Sequence, residues 1–248
     1  MRAGSFGEWF RESFGELYPL LYPQRSDEAA AREIAAVADL LHLRDSALRV
    51  LDLACGTARH CQALVDQGVE VWGLDLSRPL LDLACRRPCL AGRLVRGDMR
   101  RLPFRRAFDV VINIFTSFGY FTDDHVHAQV LAEIARVLNP GGRLLIDHIN
   151  RPALERDLVP DDEREGPGFR VRQQRRISGN RVRKRIEIIW ADGRTRQLEE
   201  DVRLFAPEEL RALLEEAGFS EVRLLGSFQG EPLTRSAERM IALAVRTA

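Results

Sequence analysis

The fold of this chain is decided by the stretch Val50-Leu51-Asp52-Leu53-Ala54-Cys55-Gly56-Thr57-Ala58-Arg59-His60. It begins as an apolar β-type run, passes through a turn of small residues and continues as a helical pattern. In a parallel α/β sheet this succession places outward-facing backbone amides and the positive end of a helix dipole beside a nucleotide-sized pocket. Roughly 20 residues later, the strand pattern Val69–Leu74 ends at Asp75, whose carboxylate can accept hydrogen bonds from both hydroxyls of a ribose.

Strand and helix patterns alternate on both sides of this stretch. Near-continuous apolar strands between amphipathic helices predict a mostly parallel sheet with helices on both faces. The same alternation returns near the end of the chain, where Pro207 starts a helix and Gly218 ends it. In chain order, the predicted elements are Leu48–Leu53, Arg59–Gln67, Val69–Leu74, Ser77–Arg86, Arg93–Val95, Phe108–Ile112, Asp124–Val137, Arg143–Ile149, Glu208–Ala217, Glu221–Phe228 and Glu238–Val245.

Two further segments depart from this alternation. The aromatic-rich stretch Ser5–Tyr22 predicts one helix, and a second helix runs from Ser26 or Asp27 to about Leu43. Three consecutive strands with turns between them predict a small antiparallel insertion, at Phe169–Ile177, Arg181–Trp190 and Arg194–Phe205. We therefore divide the chain into an N-terminal helical cap (1–46), an α/β core (47–150), an antiparallel β insertion (151–205) and a completion of the core sheet (206–248).

Composition excludes several classes of protein. The 248 residues carry 37 basic and 37 acidic side chains, so no net field attracts nucleic acid or an anionic membrane. Every basic residue except Lys184 is arginine. The N-terminus lacks the apolar core of a signal peptide and no run approaches membrane-spanning length, which predicts a cytoplasmic protein. The four cysteines form neither a C-x-x-C pair nor a metal-ligand pattern with histidine, so we expect no metal site.

Five short motifs occur in a characteristic order and at suitable spacings. They are Asp52–Ala58, Gly73–Ser77, Gly97–Met99, Phe108–Ile112 and Leu138–Gly142. Together they resemble the ordered motifs of class I S-adenosylmethionine-dependent methyltransferases. The run Phe115–Phe121 is similar to the branch that contains small-molecule N-methyltransferases, such as the glycine and amino-sugar enzymes. The resemblance implies a Rossmann-like, seven-stranded, mostly parallel sheet with one antiparallel strand.

The resemblance also assigns residues to the cofactor S-adenosylmethionine, which leaves as S-adenosylhomocysteine. It implies that the turn Cys55–Ala58 cradles the methionyl part, Asp75 the ribose and Asp98 the adenine amine. A third glycine is usual where Ala58 stands, and its methyl group is expected near the ligand. The implied cofactor-binding residues are Asp52, Ala54, Cys55, Gly56, Thr57, Asp75, Leu76, Asp98, Met99 and Asn113, with Tyr18, Tyr22 and Arg25 from the N-terminal segment.

The acceptor side is expected at the carboxyl ends of the strands that follow. Since the methyl donor is an activated sulfonium, proximity and orientation can supply most of the acceleration. His148 is the histidine that can act as a general base there, and Tyr120 is a second catalytic candidate. The loop after Phe108–Ile112 has neither the N-P-P-[YF] clamp of base-amine methyltransferases nor a Pro-Cys nucleophile. The predicted acceptor-binding residues are Phe115, Thr116, Tyr120, His148 and Asn150.

The predicted function is methyl transfer from S-adenosylmethionine to a small molecule, at nitrogen. A dinucleotide dehydrogenase would need G-x-G-x-x-G, and the chain offers Gly56 alone between Asp52 and His60. The arginine-rich strands Phe169–Ile177 and Arg181–Trp190 leave open an RNA or protein methyltransferase, although cross-strand ion pairs explain them more simply. A binding protein without turnover is a further alternative. The sequence leaves open whether the protein is a monomer or a homodimer.

Overall fold

The computed structural model describes residues 8–44 and 47–247 of the chain. The secondary structure alternates as the sequence predicts, with the small antiparallel sheet inserted after the fifth strand. In chain order, the elements are α1 (Phe10–Ser13), α2 (Tyr18–Leu21), α3 (Asp27–Leu40), β1 (Arg49–Leu53), α4 (Arg59–Asp66), β2 (Glu70–Asp75), α5 (Arg78–Ala84), β3 (Leu94–Arg96), β4 (Phe108–Asn113), α6 (Asp124–Val137), β5 (Leu138–Ile149), α7 (Arg151–Asp157), β6 (Asp161–Gly166), β7 (Phe169–Ser178), β8 (Arg181–Trp190), β9 (Thr195–Arg203), α8 (Pro207–Glu216), β10 (Phe219–Leu225) and β11 (Arg239–Arg246).

The main sheet has seven strands in the order β3-β2-β1-β4-β5-β11-β10. Strands β1 to β5 pair in parallel, whereas β11 runs antiparallel to both of its neighbours. Val50 pairs with Val71 on one side and with Val110 on the other. The chain therefore reverses its direction of strand addition next to β1, where open α/β sheets bind ligands. The predicted Rossmann-like sheet with one antiparallel strand is confirmed.

Both faces of this sheet are covered by helices. Alternate residues of β1 point to opposite faces, so Leu51 and Leu53 pack with α6 and α8, while Val50 packs with α3, α4 and α5. All three side chains are almost completely buried. The two apolar layers fix the height and orientation of the strand ends and of the turns that follow them.

The insertion is a four-stranded antiparallel sheet in the order β6-β7-β8-β9. Only three of these strands were predicted from the sequence, because β6 has the sequence Asp-Asp-Glu-Arg-Glu-Gly and carries no apolar alternation. β6 lies at an edge and faces arginines across the ladder, as in the pairing of Glu163 with Arg172. Ion pairs take the place of an apolar face here, and apolar periodicity cannot detect such a strand.

The N-terminal segment is also different from its prediction. The sequence predicts a single helix over Ser5–Tyr22, but the structure has two one-turn helices there, α1 and α2. Ser5 and Phe6 lie outside the described residues. Gly15 separates the two helices and Pro19 lies in the first turn of α2, which disfavours one continuous helix. Within residues 8–44 and 47–247, no helix is long and apolar enough to cross a lipid bilayer.

Candidate functional site

The turn after β1 has left-handed backbone at three alternate residues. The φ angles are +63° at Ala54, +55° at Gly56 and +57° at Ala58. The turn is anchored to the neighbouring strand because the Cys55 amide donates to the Leu74 carbonyl at 3.0 Å. This geometry directs peptide groups into the space above the sheet and starts α4 immediately afterwards.

Asp75 at the end of β2 is buried beside this turn. Its Oδ2 accepts a hydrogen bond from the Gly56 amide and its Oδ1 accepts one from the Ser77 amide, both at 2.7 Å. Burial raises the pKa of this carboxyl above its usual value, against the opposing effect of these two amides. The Ser77 side chain, not Asp75, caps α5 by accepting from the Leu80 amide. Asp75 is therefore a buried carboxylate with a role at the turn rather than a helix cap.

Asp98 lies just beyond β3, in a network of charged side chains. Arg100 donates to both of its carboxylate oxygens, with Nη2 2.6 Å from Oδ2. Burial alone would raise the pKa of Asp98, but the Arg100 guanidinium lowers it below its ordinary value. Arg100 Nη2 also lies 2.9 Å from Glu8 Oε1, which connects the N-terminal segment to this side of the site.

These groups line one cavity of about 320 Å³, which we call the first cavity. Eleven of the thirteen residues assigned to the cofactor line it: Asp52, Ala54, Cys55, Gly56, Thr57, Asp75, Leu76, Asp98, Met99, Tyr18 and Arg25. The cavity offers a buried carboxylate for a ribose, the apolar side chains of Leu76 and Met99 for a base, and backbone amides for a charged amino-acid end. The residues present therefore fit an S-adenosyl ligand.

The aromatic N-terminal segment packs over this cavity. The ring of Phe14 stacks on Tyr120 with centroids 5.3 Å apart, and Trp9 Nε1 donates to the Tyr120 carbonyl at 3.3 Å. Arg25 donates to the Tyr18 hydroxyl, and its guanidinium carbon lies 4.7 Å from the centre of the Phe115 ring. Residues distant in sequence thus form one wall of the site.

The loop after β4 is held in a strained form by Asp147. Phe115 and Thr116 have φ angles of +61° and +57°, which side-chain-bearing residues seldom adopt. The Phe115 amide donates to Asp147 Oδ2 at 2.7 Å and the Thr116 amide donates to the Asp147 carbonyl at 3.0 Å. Asp147 is fully buried and also accepts from Arg239. Burial raises the pKa of Asp147, and the Arg239 guanidinium acts in the opposite direction.

A second cavity of about 520 Å³ adjoins the first. The two cavities share four lining residues, Phe14, Arg25, Phe115 and Tyr120. Of the predicted acceptor-binding residues, Phe115, Thr116, Tyr120 and His148 line the second cavity. The shared residues form the boundary across which a group could pass from a molecule in one cavity to a molecule in the other.

His148 is buried at the wall of the second cavity. Its Nδ1 lies 3.3 Å from the Ile149 carbonyl, and its Nε2 has no hydrogen-bond partner among the described residues. Burial lowers the pKa of this imidazole to about 4, so it is neutral at pH 7. A neutral imidazole of such low basicity is a weak proton acceptor, and the role of His148 as a general base stays a prediction.

Three of the predicted site residues have other contacts. Asn113 Nδ2 donates to the Leu53 carbonyl at 2.8 Å and joins β4 to β1. Asn150 Nδ2 donates to the Thr234 carbonyl at 2.9 Å. In the part of the chain that the structure describes, neither asparagine lines the two cavities, and Tyr22 lines the second cavity rather than the first.

Sequence reasoning missed a polar cluster in the second cavity, which we call the lysine cluster: Lys184, Tyr22 and Glu200. Lys184 Nζ donates to the Tyr22 hydroxyl at 2.8 Å and lies 3.7 Å from Glu200 Oε2. The Tyr22 hydroxyl donates to Glu200 Oε1. Lys184 and Glu200 are cross-strand partners in β8 and β9. The sequence signal that could have found it is the occurrence of one lysine among so many arginines.

Six arginines of strands β7 and β8 form cross-strand ion pairs: Arg170, Arg172, Arg175, Arg181, Arg183 and Arg185. The Nε–carboxylate distances are 2.7 Å from Arg172 to Glu163 and 3.2 Å from Arg185 to Glu199. The buried Arg181 lies 2.7 Å from Asp201. These ion pairs are the cross-strand pairs expected for the arginine-rich strands.

Comparisons with known proteins agree with this geometry. Residues 50–142 match a family described as a methyltransferase domain. A dTDP-3-amino-3,4,6-trideoxy-alpha-D-glucopyranose N,N-dimethyltransferase of Streptomyces venezuelae is 33% identical over 133 residues, which are 53% of this chain and 55% of that enzyme. A demethylmenaquinone methyltransferase of Thermus thermophilus is 36% identical over 194 residues, which are 73% of this chain and 78% of that enzyme. The chain thus spans little more than half of the first of these relatives.

Among solved structures, the chain is similar to CalS10, an amino pentose methyltransferase of Micromonospora echinaspora solved with S-adenosylmethionine bound. The TM-score is 0.71 at 28% sequence identity, and the match covers 93% of this chain and 97% of the other.

Proposed function

Because this chain belongs to the class I S-adenosylmethionine-dependent methyltransferases, we propose that it methylates a nitrogen atom of a small-molecule amine. The observation that carries this proposal is the pair of adjoining cavities. The first has the carboxylate and apolar surfaces that suit an S-adenosyl group, and the second has polar side chains for another molecule. They meet at Phe115 and Tyr120, where a donor methyl group and an acceptor nitrogen can approach each other.

We propose an amino sugar carried on an anionic group as the acceptor. Two of the similar proteins act on amino sugars according to their names. The second cavity is lined by Arg175 and Arg239, each of which uses Nη1 in an ion pair, with Asp162 and Asp147, and has further N–H donors for an anion. A menaquinone precursor is a less suitable acceptor, because Lys184, Glu200 and other charged groups line that cavity. We also propose that the protein works in the cytoplasm.

The donor supplies a methyl group on a positively charged sulfur, so the chain need not provide a covalent nucleophile. Asp75 and the turn residues position one molecule, and Phe115 and Tyr120 orient the other. The aromatic side chains Trp9, Phe14 and Tyr120 exclude water from the boundary of the two cavities. The acceptor nitrogen must be unprotonated, because only its lone pair can attack the methyl carbon.

Calorimetric titration with S-adenosylmethionine and S-adenosylhomocysteine tests the first cavity. We expect micromolar binding of both ligands and no binding of NAD. In Asp75→Asn, the loss of a charged acceptor for the ribose should weaken both by about 10- to 100-fold, since a hydrogen bond to a charged group contributes about 1.5–3 kcal/mol. Asp82→Asn is the matched control, because Asp82 is an exposed acid that pairs with Arg78 on α5. A folded protein that binds neither sulfur ligand would overturn the proposed function.

The acceptor is tested by turnover with S-adenosylmethionine. The substrates are dTDP-3-amino-3,4,6-trideoxy-α-D-glucopyranose, the same sugar without its amine, and demethylmenaquinol. Methylation of the amine alone supports the proposal. Methylation of the quinol alone would contradict it, and binding without turnover of any acceptor would favour the binding-protein alternative.

A further inference from the structure

The chain contains one lysine, Lys184, beside 36 arginines. Arginine therefore serves at every other basic position, on the surface and in ion pairs. The chemical property that distinguishes lysine from arginine is that its ammonium group can lose a proton near neutral pH when it is buried, whereas a guanidinium cannot. We therefore ask which groups surround this single lysine in the fold.

Lys184 lies on the packed face of β8 and lines the second cavity. Its side chain is 14% exposed. The groups that face it come from four separate elements: Tyr22 and Arg25 from the N-terminal segment, Asp162 from β6, Arg175 from β7 and Glu200 from β9. Burial lowers the pKa of Lys184, and Glu200 acts in the opposite direction.

We propose that Lys184 is the proton acceptor for the amine that is methylated, with Tyr22 and Glu200 as the residues that position it. This inference rests on the proposed function. Two observations support it. The ε-amine of Lys184 lies in the second cavity, and it lies 2.8 Å from the Tyr22 hydroxyl and 3.7 Å from the Glu200 carboxylate.

The acceptor arrives as an ammonium ion, and one N–H bond breaks as its proton moves to the neutral Nζ of Lys184. The electron pair stays on the acceptor nitrogen, which then forms the N–C bond as the S–C bond of the donor breaks. The new lysine ammonium is stabilised by the Glu200 carboxylate and the Tyr22 hydroxyl oxygen, and it releases its proton to solvent before the next turnover.

The pH dependence of kcat/KM for the amino sugar tests this role in Lys184→Arg. Arginine keeps the positive charge and the hydrogen-bond donors but cannot accept a proton. We expect a loss of about 100-fold or more near pH 7, the usual contribution of a general base. In this variant the remaining rate should rise tenfold per pH unit up to the pKa of the acceptor, because only acceptor already neutral in solution reacts. Affinity for S-adenosylhomocysteine should be unchanged.

Two further variants separate this role from other ones. Lys184→Met should lose activity like Lys184→Arg, whereas Arg185→Met should keep wild-type activity, because Arg185 lies on the exposed face of the same strand and pairs with Glu199. If Lys184→Arg restores the activity that Lys184→Met loses, Lys184 supplies only positive charge and the proposal is overturned. Wild-type kcat/KM and pH profile in Lys184→Arg would overturn it as well, with the proposed function intact.

A measurement on the unmutated protein does not depend on whether a variant folds. Protein made with [6-¹³C]lysine has a single labelled side chain, so one resonance reports the ionisation of Lys184. In the complex with S-adenosylhomocysteine, we expect its midpoint below the ordinary value of about 10.4. A midpoint at or above that value would overturn the inference. A wild-type protein that methylates no amine would instead overturn the proposed function from which it starts.

Discussion

At the scale of single residues, Ala58 occupies the position in the turn after β1 where the family usually has a third glycine. Its φ of +57° is the conformation for which glycine is favoured, and left-handed backbone costs about 1–2 kcal/mol in other residues. The methyl group of Ala58 is fully buried in the apolar cluster beneath the turn, together with Leu64 and Leu81. Burial of one methyl group returns about 0.8 kcal/mol and offsets part of that cost. We expected this methyl group near the ligand, and that prediction is wrong, because the methyl group lies in the core.

Gly73 on β2 packs directly beneath this turn, and an added methyl group there has no room. A Cβ there would lie 2.8 Å from Cys55 Sγ and 2.9 Å from Leu94 Cδ2. We expect Gly73→Ala to lower the free energy of unfolding by about 1–3 kcal/mol, the usual cost of overpacking, and to weaken S-adenosylhomocysteine binding by displacing Cys55. Urea denaturation and calorimetry measure both effects.

The control for this prediction is a second substitution that removes Cys55 Sγ, the nearest of the three clashing atoms, and leaves Leu94 Cδ2 and Cys61 Sγ in place. Gly73→Ala combined with Cys55→Ala should be more stable than the sum of the single changes predicts, because neighbouring substitutions are coupled. Simple additivity of the two changes would contradict the proposed contact.

At the scale of elements, the site is closed by parts of the chain outside the parallel sheet. Ser13 Oγ of α1 donates to the Glu199 carbonyl of β9 at 2.6 Å, so the N-terminal segment is attached to the insertion. The loop after β4 is in turn attached to β5 and β11 through Asp147 and Arg239. These contacts place Tyr22 and Phe115 on walls of the second cavity.

Asp147→Asn tests how this loop is held. The substitution leaves Arg239 without its carboxylate and weakens the bond that fixes the left-handed Phe115. Breaking a buried ion pair costs about 3–5 kcal/mol, and since Arg239 is partly exposed we expect about 2–3 kcal/mol in the free energy of unfolding. Amine turnover should fall more than cofactor affinity. Glu155→Gln, which removes an exposed ion pair with Arg151 on α7, should cost less than about 0.5 kcal/mol.

At the scale of the whole molecule, two buried histidines connect stability to pH. His127 lies among the rings of Phe118, Phe121 and Phe205; its Nδ1 lies 3.5 Å from Asp124 Oδ1, and its Nε2 has no hydrogen-bond partner among the described residues. Burial lowers the pKa of His127 to about 4, as it does that of His148. Both imidazoles are therefore neutral in the folded core and become charged readily only when the protein unfolds.

We expect the free energy of unfolding to decrease as the pH falls from about 6.5 to about 4. The imidazole of the unfolded chain binds a proton near pH 6.5, whereas the imidazole of the folded protein does not. The contribution of each histidine to the free energy of unfolding is therefore fully present above pH 6.5 and is lost as the pH falls toward 4. A shift of this size corresponds to about 3 kcal/mol for each imidazole. His127→Leu should remove one of the two contributions and flatten the profile of urea unfolding against pH. His125→Leu, at an exposed position of the same helix, should leave the slope unchanged.

The sequence by itself determined the parts of the protein that depend on local periodicity. Apolar strands between amphipathic helices specified the sheet. The turn after Leu53 and the acid at Asp75 predicted a ligand site at its carboxyl edge, where the first cavity lies. Helix α6 has the same bounds in the prediction and in the structure, because its apolar face and its Asp123 cap are local signals. The edge strand β6 escaped prediction because ion pairs with β7 hold it in place of an apolar face.

Only the tertiary structure decided which distant residues share a wall of the site. Tyr22 and Lys184 are 162 positions apart, yet their polar atoms lie 2.8 Å from each other in the second cavity. Asn150 was predicted at the site from its place at a strand end, but its hydrogen bond to the Thr234 carbonyl gives it another contact, whereas His148 lines the second cavity as predicted. Periodicity reports which face of an element is buried. It does not report which element covers that face, because that depends on contacts between segments that no local pattern encodes.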